Sequence, residues 1–141
     1  MDYNKIKIGD SYTKEFIVTD EKVRTFAKIS GDDNPIHVND EFAARSRFGK
    51  RIAHGILITS FISKVIGRDF PGDGTIYVSQ QVKFKRPVFI EDKISVRIEV
   101  LEKNDPKNRI ILSTDVYNEQ DKKVIEGTAE VMKEWSQLDL I

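Results

Sequence analysis

Along this chain the hydrophobic period changes once, and that change limits what the chain can fold into. Residues 55–67 place Ile56, Leu57, Ile58, Phe61, Ile62, Val65 and Ile66 over most of a helix's circumference. Thr59, Ser60, Ser63 and Gly67 make its one stripe of small or hydroxyl side chains. A helix apolar on so many sides belongs in an interior. From Thr75 onward the period is two. Ile94, Val96, Ile98 and Val100 alternate with Lys93, Ser95, Arg97 and Glu99, and strands are predicted near 76–85, 93–101, 110–117 and 124–132. Four strands following one apolar helix predict an α+β fold, an antiparallel sheet packed on that helix. With no internal repeat, one domain over residues 1–141 is expected.

Upstream, residues 14–18 read as a short opening strand. Thr19 and Asp20 offer N-cap oxygens to a helix carrying Val23, Phe26, Ala27 and Ser30, and Gly31 can close it in the left-handed conformation. Pro35 pushes Asn34 towards an extended backbone, so residues 32–37 are expected to be a loop. Asn39 or Asp40 can cap a second short helix through Phe42, Ala43 and Ala44, and residues 45–51 form a basic connection.

Charge excludes some roles. The 23 basic and 23 acidic residues cancel and nowhere gather into a run, so no electrostatic footprint for nucleic acid exists. The most apolar segment, 56–66, is too short to cross a bilayer, and residues 1–5 lead into no apolar signal stretch. Zero cysteines exclude a thiolate nucleophile and fit a cytoplasmic setting.

Chemistry concentrates around the only two histidines, His37 and His54. Asp32 lies five residues before His37 with Pro35 between them, and a proline-containing loop can turn both side chains to one point. A carboxylate and an imidazole so held form an acid–base pair. The same residues also suit a plain Asx turn beside a structural histidine. His54-Gly55 opens the apolar helix, where an unpaired backbone N–H can hold a developing oxyanion; a simple tight bend is the alternative. Ser63 and Ser60 sit further along that helix, where hydroxyls often bond back to the preceding turn. No Gly-x-Ser-x-Gly elbow, standard metal-ligand spacing or glycine-rich phosphate loop is present, so no metal and no nucleotide cofactor is expected.

Residues 26–37, Phe-Ala-Lys-Ile-Ser-Gly-Asp-Asp-Asn-Pro-Ile-His, followed by Ile52-Ala53-His54-Gly55, resemble the MaoC-like (R)-specific enoyl-CoA hydratases. Gly74-Thr75-Ile76-Tyr77 and Phe84-Lys85-Arg86-Pro87-Val88 extend the resemblance over nearly the whole chain. It implies a hot-dog fold, an antiparallel sheet wrapped around one long central helix. It implies that Asp32 and His37 activate water, that the Gly55 amide polarises the thioester carbonyl, and that Ser63 supports the aspartate. Asn34 and His54 match positions near the site, His54 as a shaper of the helix start. Asp33 departs from the pattern and has no assigned role. The implied partners are an acyl-CoA thioester substrate, with coenzyme A part of that substrate and no separate cofactor, and further copies of the chain in a homodimer or a dimer of dimers. A hot-dog thioesterase, a 3-hydroxyacyl-carrier-protein dehydratase subunit and a non-catalytic acyl-CoA-binding module are the alternatives.

Overall fold

The computed structural model describes residues 2–133. Thr19 begins the first helix as expected: its Oγ1 accepts from the Lys22 N–H at 3.2 Å, and α1 runs Asp20–Ser30. Gly31 ends it at φ 83°, where a side chain would be strained. The expected loop 32–37 is partly helical instead. Asn34 Oδ1 accepts from the Ile36 N–H, and α2 spans Pro35–Val38 with proline in its first turn. Proline's fixed φ suits that position, and its missing N–H would have had no partner there. Asn39 then caps α3, Asp40–Ala44, through the Phe42 N–H at 2.9 Å.

The apolar helix α4 spans Gly55–Lys64 and continues as a wider π-type turn over Val65–Asp69. Its burial is one-sided. Leu57, Ile58, Ile62, Val65 and Ile66 lie in the core, whereas Ile56 is 57% exposed and Phe61 stacks on Phe16 at 4.8 Å. Thr59 and Ser60 hydroxyls bond back to the carbonyls of Gly55 and Leu57, at 2.9 and 2.5 Å. This is the local bonding that hydroxyls in helices favour.

Among the described residues five strands form one antiparallel sheet: β1 Ser11–Ile17, β2 Thr75–Phe84, β3 Lys93–Asn104, β4 Arg109–Tyr117 and β5 Lys123–Lys133. Their order is β1-β3-β4-β5-β2. The inner faces of β3, β4 and β5 carry Ile94, Val96, Ile98, Val100, Ile110, Leu112, Val116, Ala129 and Val131, which close on α4 in one core. The architecture is the α+β hot-dog arrangement that the resemblance implied. Among the described residues strand β2 pairs only with β5 and its other edge carries no partner, with Ile76, Val78 and Phe84 exposed.

Gly127, where β5 crosses β4, has no room for a side chain. A Cβ there would lie 2.7 Å from Thr114 Oγ1 and 2.9 Å from the backbone oxygens of Gln81 and Thr114. Two of those atoms are backbone and cannot swing aside. Gly127→Ala is expected to cost about 1–3 kcal/mol, read as a lower denaturation midpoint.

Candidate active site

The site is built where two distant stretches of chain run alongside each other. Residues 32–37 follow α1, and residues 51–55 lead into α4. The Ile52 N–H donates to the Ile36 carbonyl at 3.2 Å. In return, His37 Nδ1 bonds the Ile52 carbonyl at 2.8 Å, and His54 Nε2 bonds the Asp32 carbonyl at 2.8 Å. A carbonyl oxygen only accepts, so each of those ring nitrogens carries the hydrogen. His37 is thereby left with a lone pair on Nε2, and His54 with one on Nδ1.

The two rings stack with centroids 3.8 Å apart and planes 28° apart, and Phe26 meets His54 edge-on at 4.8 Å. His54 is only 3% exposed, and its Nδ1 has no hydrogen-bond partner among the described residues. A ring this enclosed, with its proton committed to the Asp32 carbonyl, anchors the loop. It is badly placed to exchange protons with a ligand. His37 is half-buried on the more open side.

Asp32 is exposed, and its Oδ1 accepts from the Asn34 N–H at 3.3 Å. The Asx turn and the acid–base pair are therefore not rival readings: one carboxylate serves the turn and stays beside the histidines. Ser30 shapes the same bend. Its Oγ donates to the Phe26 carbonyl at 2.7 Å and accepts from the Asp32 N–H at 3.1 Å. Sequence reasoning missed this, although a serine two residues before the aspartate at a helix end was its signal. Asn34 acts through its cap on α2. Asp33 is exposed, and its carboxylate makes no hydrogen bond among the described residues.

Asp32, His37 and His54 each bring one donor atom within 4.8 Å of the others, a spacing short enough for a divalent ion. The stacking argues otherwise. Lone pairs lie in the ring planes, and two nearly parallel rings point them side by side, not at one centre.

At the start of α4 no side chain caps the first turn, so the leading N–H groups keep their donors available. Gly55 has no unusual φ but lies close to the Phe84 ring: a Cβ would sit 2.4 Å from it, so that exposed ring would have to turn aside. Gly55 lines a cleft of about 320 Å³ with Ile52, Ala53, Ile56 and Phe84. Arg47, Lys85 and Arg86 bring cationic side chains to the same cleft. Ser63 is not brought to Asp32. It is exposed, makes no hydrogen bond among the described residues, and lies roughly 12 Å along the helix axis from Gly55. Among the described residues Asp32 accepts from the Asn34 N–H and receives no hydrogen bond from Ser63.

Comparison with known proteins decides the family. The model of the MaoC-like domain matches residues 5–123. The chain belongs to the MaoC-like family. This MaoC-like chain is 38% identical over 130 residues to the (R)-specific enoyl-CoA hydratase of Rhodospirillum rubrum, covering 92% of itself and 90% of that protein. It is 37% identical over 129 residues to the 3-hydroxybutyryl-CoA dehydratase of Methylorubrum extorquens, covering 92% and 82%. Among solved structures, R-hydratase PhaJ1 from Pseudomonas aeruginosa in unliganded form superposes with a TM-score of 0.89 at 41% identity, covering 92% of this chain and 83% of that one. No helix among the described residues is long and apolar enough to cross a membrane.

Burial holds the His37 imidazole below its ordinary value, and the neighbouring His54 pushes the same way; the Ile52 hydrogen bond and the Asp32 charge oppose them. The sign follows: a histidine depressed in the folded state stabilises the fold above its ordinary pKa of about 6.5, and that contribution is lost as pH falls. A reaction needing neutral His37 is expected to show the acid limb of its kcat/KM profile below about pH 6.5. A profile taken between about pH 5 and 8 checks this.

Proposed function

We propose that this chain is an (R)-specific enoyl-CoA hydratase, adding water reversibly and syn across the double bond of a trans-2-enoyl thioester. The observation that carries the reading is the gathering of Asp32 and His37 at one point, with the lone pair of His37 on Nε2. The hydratase and dehydratase relatives support it over most of their length.

In this mechanism water is placed between Asp32 and His37. His37 Nε2 or the Asp32 carboxylate takes one proton from it as its oxygen bonds C3 of the enoyl chain. The C2–C3 π electrons move onto the thioester oxygen, which the Gly55 N–H holds as charge develops. One well-placed donor of that kind lowers such a barrier by about 3–4 kcal/mol. The enolate then collapses, and the proton held by the pair is delivered to C2. Both additions come from one face, because acid and base are neighbours. Water and the chain's own groups balance the reaction, with coenzyme A arriving as part of the substrate and no further cofactor required.

The cleft beside Gly55 supports a thioester carried by coenzyme A. Its floor is apolar, and Arg47, Lys85 and Arg86 suit the phosphates of such a carrier. A homodimer belongs to the same reading. The open edge of β2 with Ile76 and Val78 exposed, together with an exposed Asp32 and Ser63, supports a second copy seated against the site.

Asp32→Asn and His37→Ala are each expected to lower crotonyl-CoA hydration by about 10²–10⁴-fold while circular dichroism stays that of the parent. Near-full activity in either folded variant contradicts the mechanism. Release of free coenzyme A thiol in place of 3-hydroxyacyl-CoA supports the thioesterase reading instead.

A further inference from the structure

Arg51 lies at the end of the basic connection before α4 and is 8% exposed, the deepest of the arginines there. All three nitrogens of its guanidinium are engaged. Nε donates to Asp40 Oδ1 at 2.8 Å, Nη2 pairs with Asp20 Oδ1 at 2.8 Å, and Nη1 donates to the His37 carbonyl at 3.0 Å. Asp20 opens α1 and Asp40 opens α3, so one planar group ties the starts of two helices to the backbone of α2 between them.

His37 is thus gripped at two points by consecutive residues. The Ile52 carbonyl holds its ring, and the Arg51 side chain holds its carbonyl. A one-turn helix has little rigidity of its own, since it closes too few hydrogen bonds to offset the ordering of its backbone. The orientation of the His37 ring therefore depends on what holds α2 from outside. The planar, five-donor guanidinium is suited to holding three acceptors in fixed directions, which an ammonium on a flexible stem does not do.

We propose that Arg51 is a positioning residue for the reaction: its guanidinium fixes the backbone of α2 so that His37 keeps its Nδ1–H on the Ile52 carbonyl and its Nε2 lone pair towards the water. This rests on the reading of His37 as part of the acid–base pair. The prediction is a loss in turnover more than in substrate binding, because ring misplacement of the order of 1 Å costs about 100-fold in rate. It also predicts a change in tautomer. Released from the Ile52 carbonyl, neutral His37 would move its proton partly to Nε2, leaving the reacting nitrogen without a lone pair in that fraction.

The test compares Arg51→Met and Arg51→Lys with Arg109→Met, which breaks a partly buried ion pair to Glu130 on the sheet. Crotonyl-CoA hydration is measured alongside the imidazole ¹⁵N shifts, which distinguish Nδ1–H from Nε2–H in a chain with only two histidines. Expected are a fall in kcat of about 10- to 100-fold with KM within about threefold for both Arg51 variants. His37 should shift away from the Nδ1–H tautomer in both, and Arg109→Met should show neither change. If Arg51→Met does not fold, Arg51→Lys carries the test. Folded Arg51 variants with kcat within about twofold of the parent would overturn the proposal. So would a loss of rate with the His37 tautomer unchanged. Absence of hydratase turnover in the parent chain would instead remove the hydratase reading, and the tautomer measurement, which needs no turnover, would still decide the positioning claim.

Discussion

Four hydrogen bonds join residues 32–37 to residues 51–54, and the arrangement of the site depends on that seam. The Ile52 N–H and carbonyl engage Ile36 and the His37 ring, Arg51 engages the His37 carbonyl, and His54 engages the Asp32 carbonyl. The two stretches are otherwise a helix-end turn and a basic connection, with little core of their own. Their bonds run from ring, guanidinium and backbone N–H donors to backbone carbonyls, so they set orientation as well as distance. The seam also joins the end of α1 to the start of α4, which the core of the sheet fixes in place. In this way the rigidity of the apolar helix reaches an exposed loop.

The seam shapes the electrostatics too. Carbonyl acceptors on opposite sides force the two histidines into opposite tautomers, one with its free lone pair on Nε2 and the other on Nδ1. Two face-stacked rings at 3.8 Å would repel if both were charged, and burial already disfavours the charged form of His37. Burial and the neighbouring ring thus both weigh against a charged His37. Next to it, the glycine that starts α4 leaves its amide uncapped under the ring of Phe84. The base and the oxyanion donor of the proposed mechanism would thus come from opposite sides of the same short seam.

Much of this was legible in residue order, because the signals were local. The period change gave the helix and its four following strands, and Thr19 and Gly31 marked the limits of α1 by side-chain and backbone chemistry that acts within a turn. The Asp32–His37 juxtaposition was legible as a possibility that competed with an Asx turn; the structure contains both geometries at once. What escaped were features that only tertiary contacts create. Four basic residues lie between 45 and 51, and nothing local marks Arg51 as the buried one. The short helix at Pro35 was missed for a different reason: its cap, Asn34 Oδ1 on the Ile36 N–H, is local, and an extended Asn34 is compatible with it. Ser63 is exposed and meets no hydrogen-bond partner among the described residues, so the spacing along the helix alone did not show which way it faces.

The central claim is that neighbouring Asp32 and His37 deliver both parts of water from one side. Hydration of crotonyl-CoA in deuterium oxide tests it most directly, with the configuration at C2 and C3 of the 3-hydroxybutyryl product read by NMR. Syn addition with an (R)-configured alcohol at C3 is the predicted result. Anti addition would contradict it, and an (S)-configured alcohol would contradict the proposed (R)-specificity.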